Sequence, residues 1–132
     1  MIAYLASPYS HPDSAVREER YRAACRTAAA LLLAGQPVFS PIAHSHPLVE
    51  YGLPPDWSFW QRFDREMLAR CEEVVVLMLD RWEESIGVQE EVRIARELGK
   101  PVRYVAPELA HVSPTLAPGT AAQPWSASEV PG

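Results

Sequence analysis

The sequence predicts a single α/β domain in which a parallel sheet carries helices on both faces. Three observations lead there. The clearest apolar run, Glu73 to Leu79, is β-branched and apolar at successive positions, as a strand buried on both faces must be. Short apolar runs alternate with helical spacing over residues 2–105, in the order β-α-β-(α)-β-α-β. Single-helix crossovers join these runs, and such crossovers leave strands parallel.

The elements follow in order. Ile2 to Ala6 is a buried strand that stops at Ser7-Pro8. Ser10-His11-Pro12-Asp13-Ser14 is turn chemistry, and Asp13 or Ser14 can cap a helix from about Ala15 to Ala34, stopped by Gly35. Pro37 to Ser40 is a second short strand. Residues 41–56 carry Pro41, Pro47, Pro54 and Pro55 and read as one long loop, a length that is usually functional or disordered. Trp57 to Cys71 has helical spacing, with Phe59, Phe63, Met67 and Leu68 on one side. Asp80 to Gly87 is a loop, Val88 to Leu98 a helix stopped by Gly99, and Pro101 to Val105 a last strand. Ligands of such sheets bind at the carboxyl ends of the strands, here the loops starting at Ser7, Ser40 and Asp80.

The chain of 132 residues suits one domain with a real core. The last 27 residues hold five prolines and neither Lys nor Arg. The expected division is an α/β domain over 1–106 and a Pro/Ala-rich irregular tail over 107–132. A net charge of −5 argues against a nucleic-acid polymer as partner, since that needs a basic footprint. No apolar run reaches bilayer length and no basic segment precedes Ile2, so the expectation is a cytoplasmic protein without a membrane partner. Cys25 and Cys71 lack a spacing motif and read as small buried residues.

Four groups of residues can carry chemistry. Glu91 lies about one turn into the helix that follows the central strand. Its carboxylate can serve as nucleophile or base at the strand-end cleft, or be a first-turn glutamate favoured by the helix dipole. In the same stretch Ser85 and Gly87 open the helix, Gly87 allowing a close turn, while Glu90 points about 100° away. After the first strand, Ser7, Tyr9 and Ser10, with Arg17 and Arg20 beyond, can hold a phosphate or form a plain turn with solvated arginines. His44 and His46 can donate hydrogen bonds from a substrate loop. As a metal pair they would need a third ligand, Asp64 or Glu50, which the spacing does not demand. Asp64 is a buried carboxylate near Glu91 that can trade protons with a base or position the nucleophile, or a solvated helix charge. Trp57, Trp60 and Trp82 flank the cleft in sequence, and a nucleobase stacks well on such rings, Trp60 being the favoured one. No Gly-x-Gly-x-x-Gly or Walker pattern is present.

Taken together, Tyr4-Leu5-Ala6-Ser7-Pro8-Tyr9, Pro37-Val38-Phe39-Ser40-Pro41, Asp64-x-x-x-Leu68-x-x-Cys71-Glu72 before a Val-rich strand, Ser85-x-Gly87-Val88-x-x-Glu91 and Gly99-Lys100-Pro101-Val102 resemble the nucleoside 2-deoxyribosyltransferase-like superfamily. The His44-Ser45-His46-Pro47 and Trp82-Glu83-Glu84-Ser85-Ile86-Gly87 stretches look similar to the DUF1937 family within it. The resemblance spans residues 2–105. It implies a flavodoxin/Rossmann-like three-layer sandwich with a four- or five-stranded parallel sheet. It implies an N-glycosidase, hydrolase or deoxyribosyltransferase, in which Glu91 attacks the anomeric carbon and Asp64 helps the base depart. Tyr9 belongs to the motif that lines the site. Ser85 stands where transferases of the superfamily carry an aspartate for the sugar 5′-hydroxyl and nucleotide hydrolases carry serine. A serine hydroxyl can donate to a 5′-phosphate that an aspartate would repel. The expected ligand is thus a nucleoside or nucleoside 5′-monophosphate, with no metal or organic cofactor, and a homodimer or higher homo-oligomer is expected. The alternative readings are a nucleotide-binding or sensing module without turnover, and a metal-dependent hydrolase built on His44 and His46.

Overall fold

A computed structural model describes residues 1–108. The expected irregular tail falls, from residue 109 onward, outside the described residues. The elements are β1 (Ala3–Ala6), α1 (Ser14–Leu33), β2 (Val38–Phe39), α2 (Pro41–Val49), α3 (Trp57–Ala69), β3 (Glu73–Leu77), a short 3-10 turn (Trp82–Glu84), α4 (Ile86–Glu97) and β4 (Val102–Val105). The four strands form one sheet in the order β2-β1-β3-β4, and all three pairings are parallel. The expected α/β class and parallel sheet are therefore present, with four strands among the described residues.

The pleat explains the two cores. Side chains alternate across a strand, so one strand feeds both faces of the sheet. Tyr4 and Ala6 of β1 join Val74 and Val76 of β3 on the face covered by Leu68 of α3 and Val88, Val92 and Ala95 of α4. Ala3 and Leu5 join Val75 and Leu77 on the face covered by Ala23 and Leu31 of α1. Every residue of β1, and Val74 to Leu77 of β3, is fully buried. A third cluster, Tyr9, Ala24 and Ile42 with Tyr21 against it, fastens α2 to α1.

Two sequence expectations change. The stretch read as a loop from 41 to 56 holds a nine-residue helix, α2. The Ser40 side chain accepts from the Ala43 amide (3.1 Å), and Pro41 sits in the first turn, where its missing N–H removes nothing. Pro47 lies inside this helix. It withholds a donor only from the last turns, and Val49 is the final helical residue. The last helix also starts earlier than Val88. Ser85 is its N-cap, accepting from the Val88 amide (3.2 Å), so Gly87 lies within the first turn with helical backbone. The close turn assigned to Gly87 is not made there. The left-handed residue of this connection is Arg81 (φ 63°), next to the 3-10 turn.

This topology fixes where a ligand can sit. From β1 the chain steps outward to β2, then returns across β1 to build β3 and β4 on the other side. The loops after β1 and β3 therefore diverge and leave a crevice at the carboxyl ends of the two central strands.

Candidate active site

A cleft of about 580 Å³ occupies that crevice. The β1–α1 connection lines it with Ser7, Pro8, Tyr9, Ser10 and His11, and α1 adds Arg20. The β3–α4 connection supplies Arg81, Glu84, Ser85, Ile86 and Gly87, and α4 itself Glu91. The start of α3 closes a third side with Trp57, Ser58, Trp60 and Asp64, and α2 contributes Ile42 and Ser45. Eight of the ten residues expected at the site thus share one cleft: Ser7, Tyr9, Ser10, Trp60, Asp64, Ser85, Gly87 and Glu91. His44 and His46 do not line it.

Glu91 lies six residues beyond the Ser85 cap, which turns it inward to the sheet while its neighbour Glu90 turns out to Arg93 (2.7 Å). Glu91 is 4% exposed, and no cation among the described residues pairs with it. Its Oε2 accepts the hydroxyl of Tyr4, which rises from β1 through the core beneath it. Burial holds the Glu91 carboxyl well above the usual carboxylate range. The Tyr4 hydrogen bond acts against that, and the nearby Asp64 charge adds to it. Burial, with Glu91 and Asp64 close by, likewise keeps the Tyr4 phenol neutral.

Asp64 faces the same cleft from the second turn of α3 and is 8% exposed. Burial raises its carboxyl from 3.8 to about 7. Its Oδ1 has no hydrogen-bond partner, and neither has the Ser7 Oγ. Buried polar atoms are nearly always paired, and these two unpaired oxygens line the same cleft, open to a ligand atom or a water.

The remaining wall divides by chemistry. Trp60 donates its indole N–H to the Pro54 carbonyl (2.6 Å), which fixes its ring, and Trp57 lies over Gly87. A Cβ on Gly87 would stand 3.5 Å from the Trp57 ring, so the glycine widens the gap between α3 and α4. Trp82 does not flank the cleft as its sequence position suggested. It packs on Tyr104, with ring centroids 5.6 Å apart. The lining also holds Arg20, which donates to the Ser10 carbonyl (2.9 Å), and Arg81. Ser10 is tied to the Pro55 carbonyl (3.1 Å), joining the first loop to the segment before α3. Arg17 instead donates to the His11 and Pro12 carbonyls and stays outside the lining. Ser85 accepts its capping bond through oxygen lone pairs, and its hydroxyl proton remains able to donate into the cleft.

The two histidines sit on α2, two residues and so about 200° apart. His44 is exposed and stacks on Phe63 (5.1 Å), whereas His46 is buried and stacks on Tyr21 (4.2 Å). Facing opposite sides of one helix, they do not converge on a single ion.

Sequence reasoning missed Tyr4, Arg81 and the contribution of α2. A signal for Tyr4 was present: a phenol inside a strand buried on both faces must place its hydroxyl on a buried acceptor. Nothing in the local pattern distinguishes Arg81 from any loop arginine.

Comparison with known proteins agrees with this fold. No curated protein matches the chain significantly. Among solved structures it is similar to a 2-deoxyribosyltransferase from the psychrotolerant bacterium Bacillus psychrosaccharolyticus. The two share 27% identity, a TM-score of 0.60, and an alignment over 81% of this chain and 73% of that one. Residues 1–106 match DUF1937, described as a domain of unknown function. The chain belongs to the DUF1937 family, within the nucleoside 2-deoxyribosyltransferase-like superfamily.

Proposed function

We propose that this protein is an N-glycosidase that cleaves the base–sugar bond of a nucleoside 5′-monophosphate, with Glu91 as nucleophile. The observation that carries the reading is a buried carboxylate at the floor of the strand-end cleft. It is held by a phenol rather than neutralised by a cation. Glu91 stands in the second turn of α4, beyond the free amides that favour a first-turn glutamate, and it faces the sheet instead of solvent.

In this mechanism Tyr4 holds Oε2 and presents the other oxygen of Glu91 to C1′. The C1′–O bond forms as the C1′–N bond breaks, and the bonding pair leaves with the base. Asp64, neutral up to about pH 7, gives that base its proton. Positive charge developing on the sugar favours ionised Glu91 in a site that otherwise raises its pKa. Water or a second base then attacks C1′ and the carboxylate of Glu91 departs, the proton of an attacking water passing to the Asp64 carboxylate that the first step left ionised. Trp57 and Trp60 offer apolar faces to the base, while Arg20, Arg81 and the Ser85 hydroxyl offer donors to a 5′-phosphate.

The test is a panel of nucleosides and nucleoside 5′-monophosphates, read by chromatography for free base. Release from at least one monophosphate is expected, and Glu91→Ala should abolish it. Base release that survives this substitution would remove Glu91 from the nucleophile role.

A further inference from the structure

Outside the cleft, α1 and α2 bring a second cluster together. His46 Nε2 stands 2.6 Å from Glu18 Oε2 and 3.7 Å from Glu50 Oε1, and the three ligand atoms lie within 4.8 Å of one another. His46 and Glu50 are one helical turn apart on α2, and Glu18 reaches across from α1. The imidazole is 7% exposed and fixed twice more, by Tyr21 stacked on its face and by the Tyr9 hydroxyl 2.7 Å from Nδ1.

As an ion pair the cluster does not balance. Nε2 has one hydrogen to give, yet two carboxylates converge on it. Glu18 also accepts from Arg22 through its other oxygen (3.2 Å), which steadies that carboxylate. The Glu50 oxygen at 3.7 Å receives nothing from the ring.

We propose that Glu18, His46 and Glu50 form a binding site for one borderline divalent cation of the zinc class. One imidazole and two carboxylates neutralise a dication, and an imidazole ligand suits zinc, nickel or copper better than magnesium or calcium. Bonds of about 2.0–2.2 Å to a four-coordinate ion place ligand atoms roughly 3.4 Å apart, between the separations found here. Loading requires Nε2 to be bare. The ring's single proton then resides on Nδ1, and the Tyr9 oxygen becomes its acceptor. Glu18 and Glu50 are more exposed than His46, and they leave an open side through which an ion enters and a water completes its shell. The site clamps α1 to α2. It also fixes Tyr9, whose side chain lines the substrate cleft, without touching the reacting groups.

This inference does not depend on the glycosidase reading, because its test needs no substrate. Metal-free protein is titrated with zinc by calorimetry and with cobalt by visible absorption, and thermal melts are recorded with each. The expected result is one ion per chain, cobalt bands of a four-coordinate site and a raised melting temperature. Glu50→Gln and Glu18→Gln should each weaken binding by at least about tenfold, since even outer partners of metal ligands are worth that much. Glu66→Gln, an exposed carboxylate paired with Arg70 on α3, should change nothing. Absence of stoichiometric uptake, or unchanged affinity in the Glu18→Gln/Glu50→Gln double variant, would overturn the site. Circular dichroism of each variant confirms that it is folded.

Discussion

Asp64 shows how one buried group ties stability to chemistry. Folding moves its carboxyl from 3.8 to about 7 because water is removed and no donor replaces it. The folded state therefore binds this proton more tightly than the unfolded chain. Its contribution is fully present below pH 3.8 and is lost as pH rises through about 7. Above that point the ionised group weighs against the fold by up to about 4 kcal/mol. Asp64→Asn keeps the shape and removes the charge. Thermal melts should find the variant more stable than the parent at about pH 8, with a flatter dependence of stability on pH between the two values. Base release should fall, because the amide has no proton to give. A variant no more stable than the parent above neutrality would show that Asp64 stays protonated there or finds a cation.

At the scale of elements, α4 gives a sharper test. Gly87 has helical backbone, so alanine suits the conformation and favours the helix by up to about 1 kcal/mol. The new methyl group meets the Trp57 ring at ordinary contact distance. Gly87→Ala should therefore melt no lower than the parent, while KM for a cleaved nucleotide rises because the gap between α3 and α4 narrows. A melting temperature several degrees lower would mean that Trp57 cannot yield. The same comparison shows what was legible in the sequence. The valines of β3 and the apolar run of β1 announce strands because both faces of a parallel sheet are buried. Helix α1, its Asp13 cap and its Gly35 stop were readable from spacing and capping chemistry. Helix α2 was not, because Pro41 and Pro47 look alike in a sequence although one starts a helix and the other sits near its end. Glu91 was readable from its place after the central strand. Its Tyr4 partner lies 87 residues away, and local spacing has no access to such a pair.

At the scale of the molecule, a net charge of −5 coexists with a cleft that holds Arg20 and Arg81. No helix among the described residues is long and apolar enough to cross a membrane. The stretch leading from α2 into α3 exposes Leu48, Tyr51 (89%), Leu53 and Phe59, next to the Pro55 and Trp57 of the cleft wall. A second copy of the chain seated there would cover apolar surface and close the cleft, which is the homodimer we propose. Sedimentation at micromolar concentration should give about twice the 14.7 kDa of one chain. A single species of monomer mass would count against it.

The parallel sheet has a further consequence, in time rather than in space. Ala3 pairs with Glu73, so the central pairing joins residues 70 positions apart. During synthesis β1 emerges long before the strand that covers one of its edges, and α1 is the first partner it meets. The most buried strand of the protein thus stays unpaired on that side while the next 70 residues are made. Non-local pairing of this kind slows folding and leaves an apolar edge open to association. Helix α1 covers only the Ala3 and Leu5 face of β1, through Ala23 and Leu31, and leaves that edge open until β3 arrives.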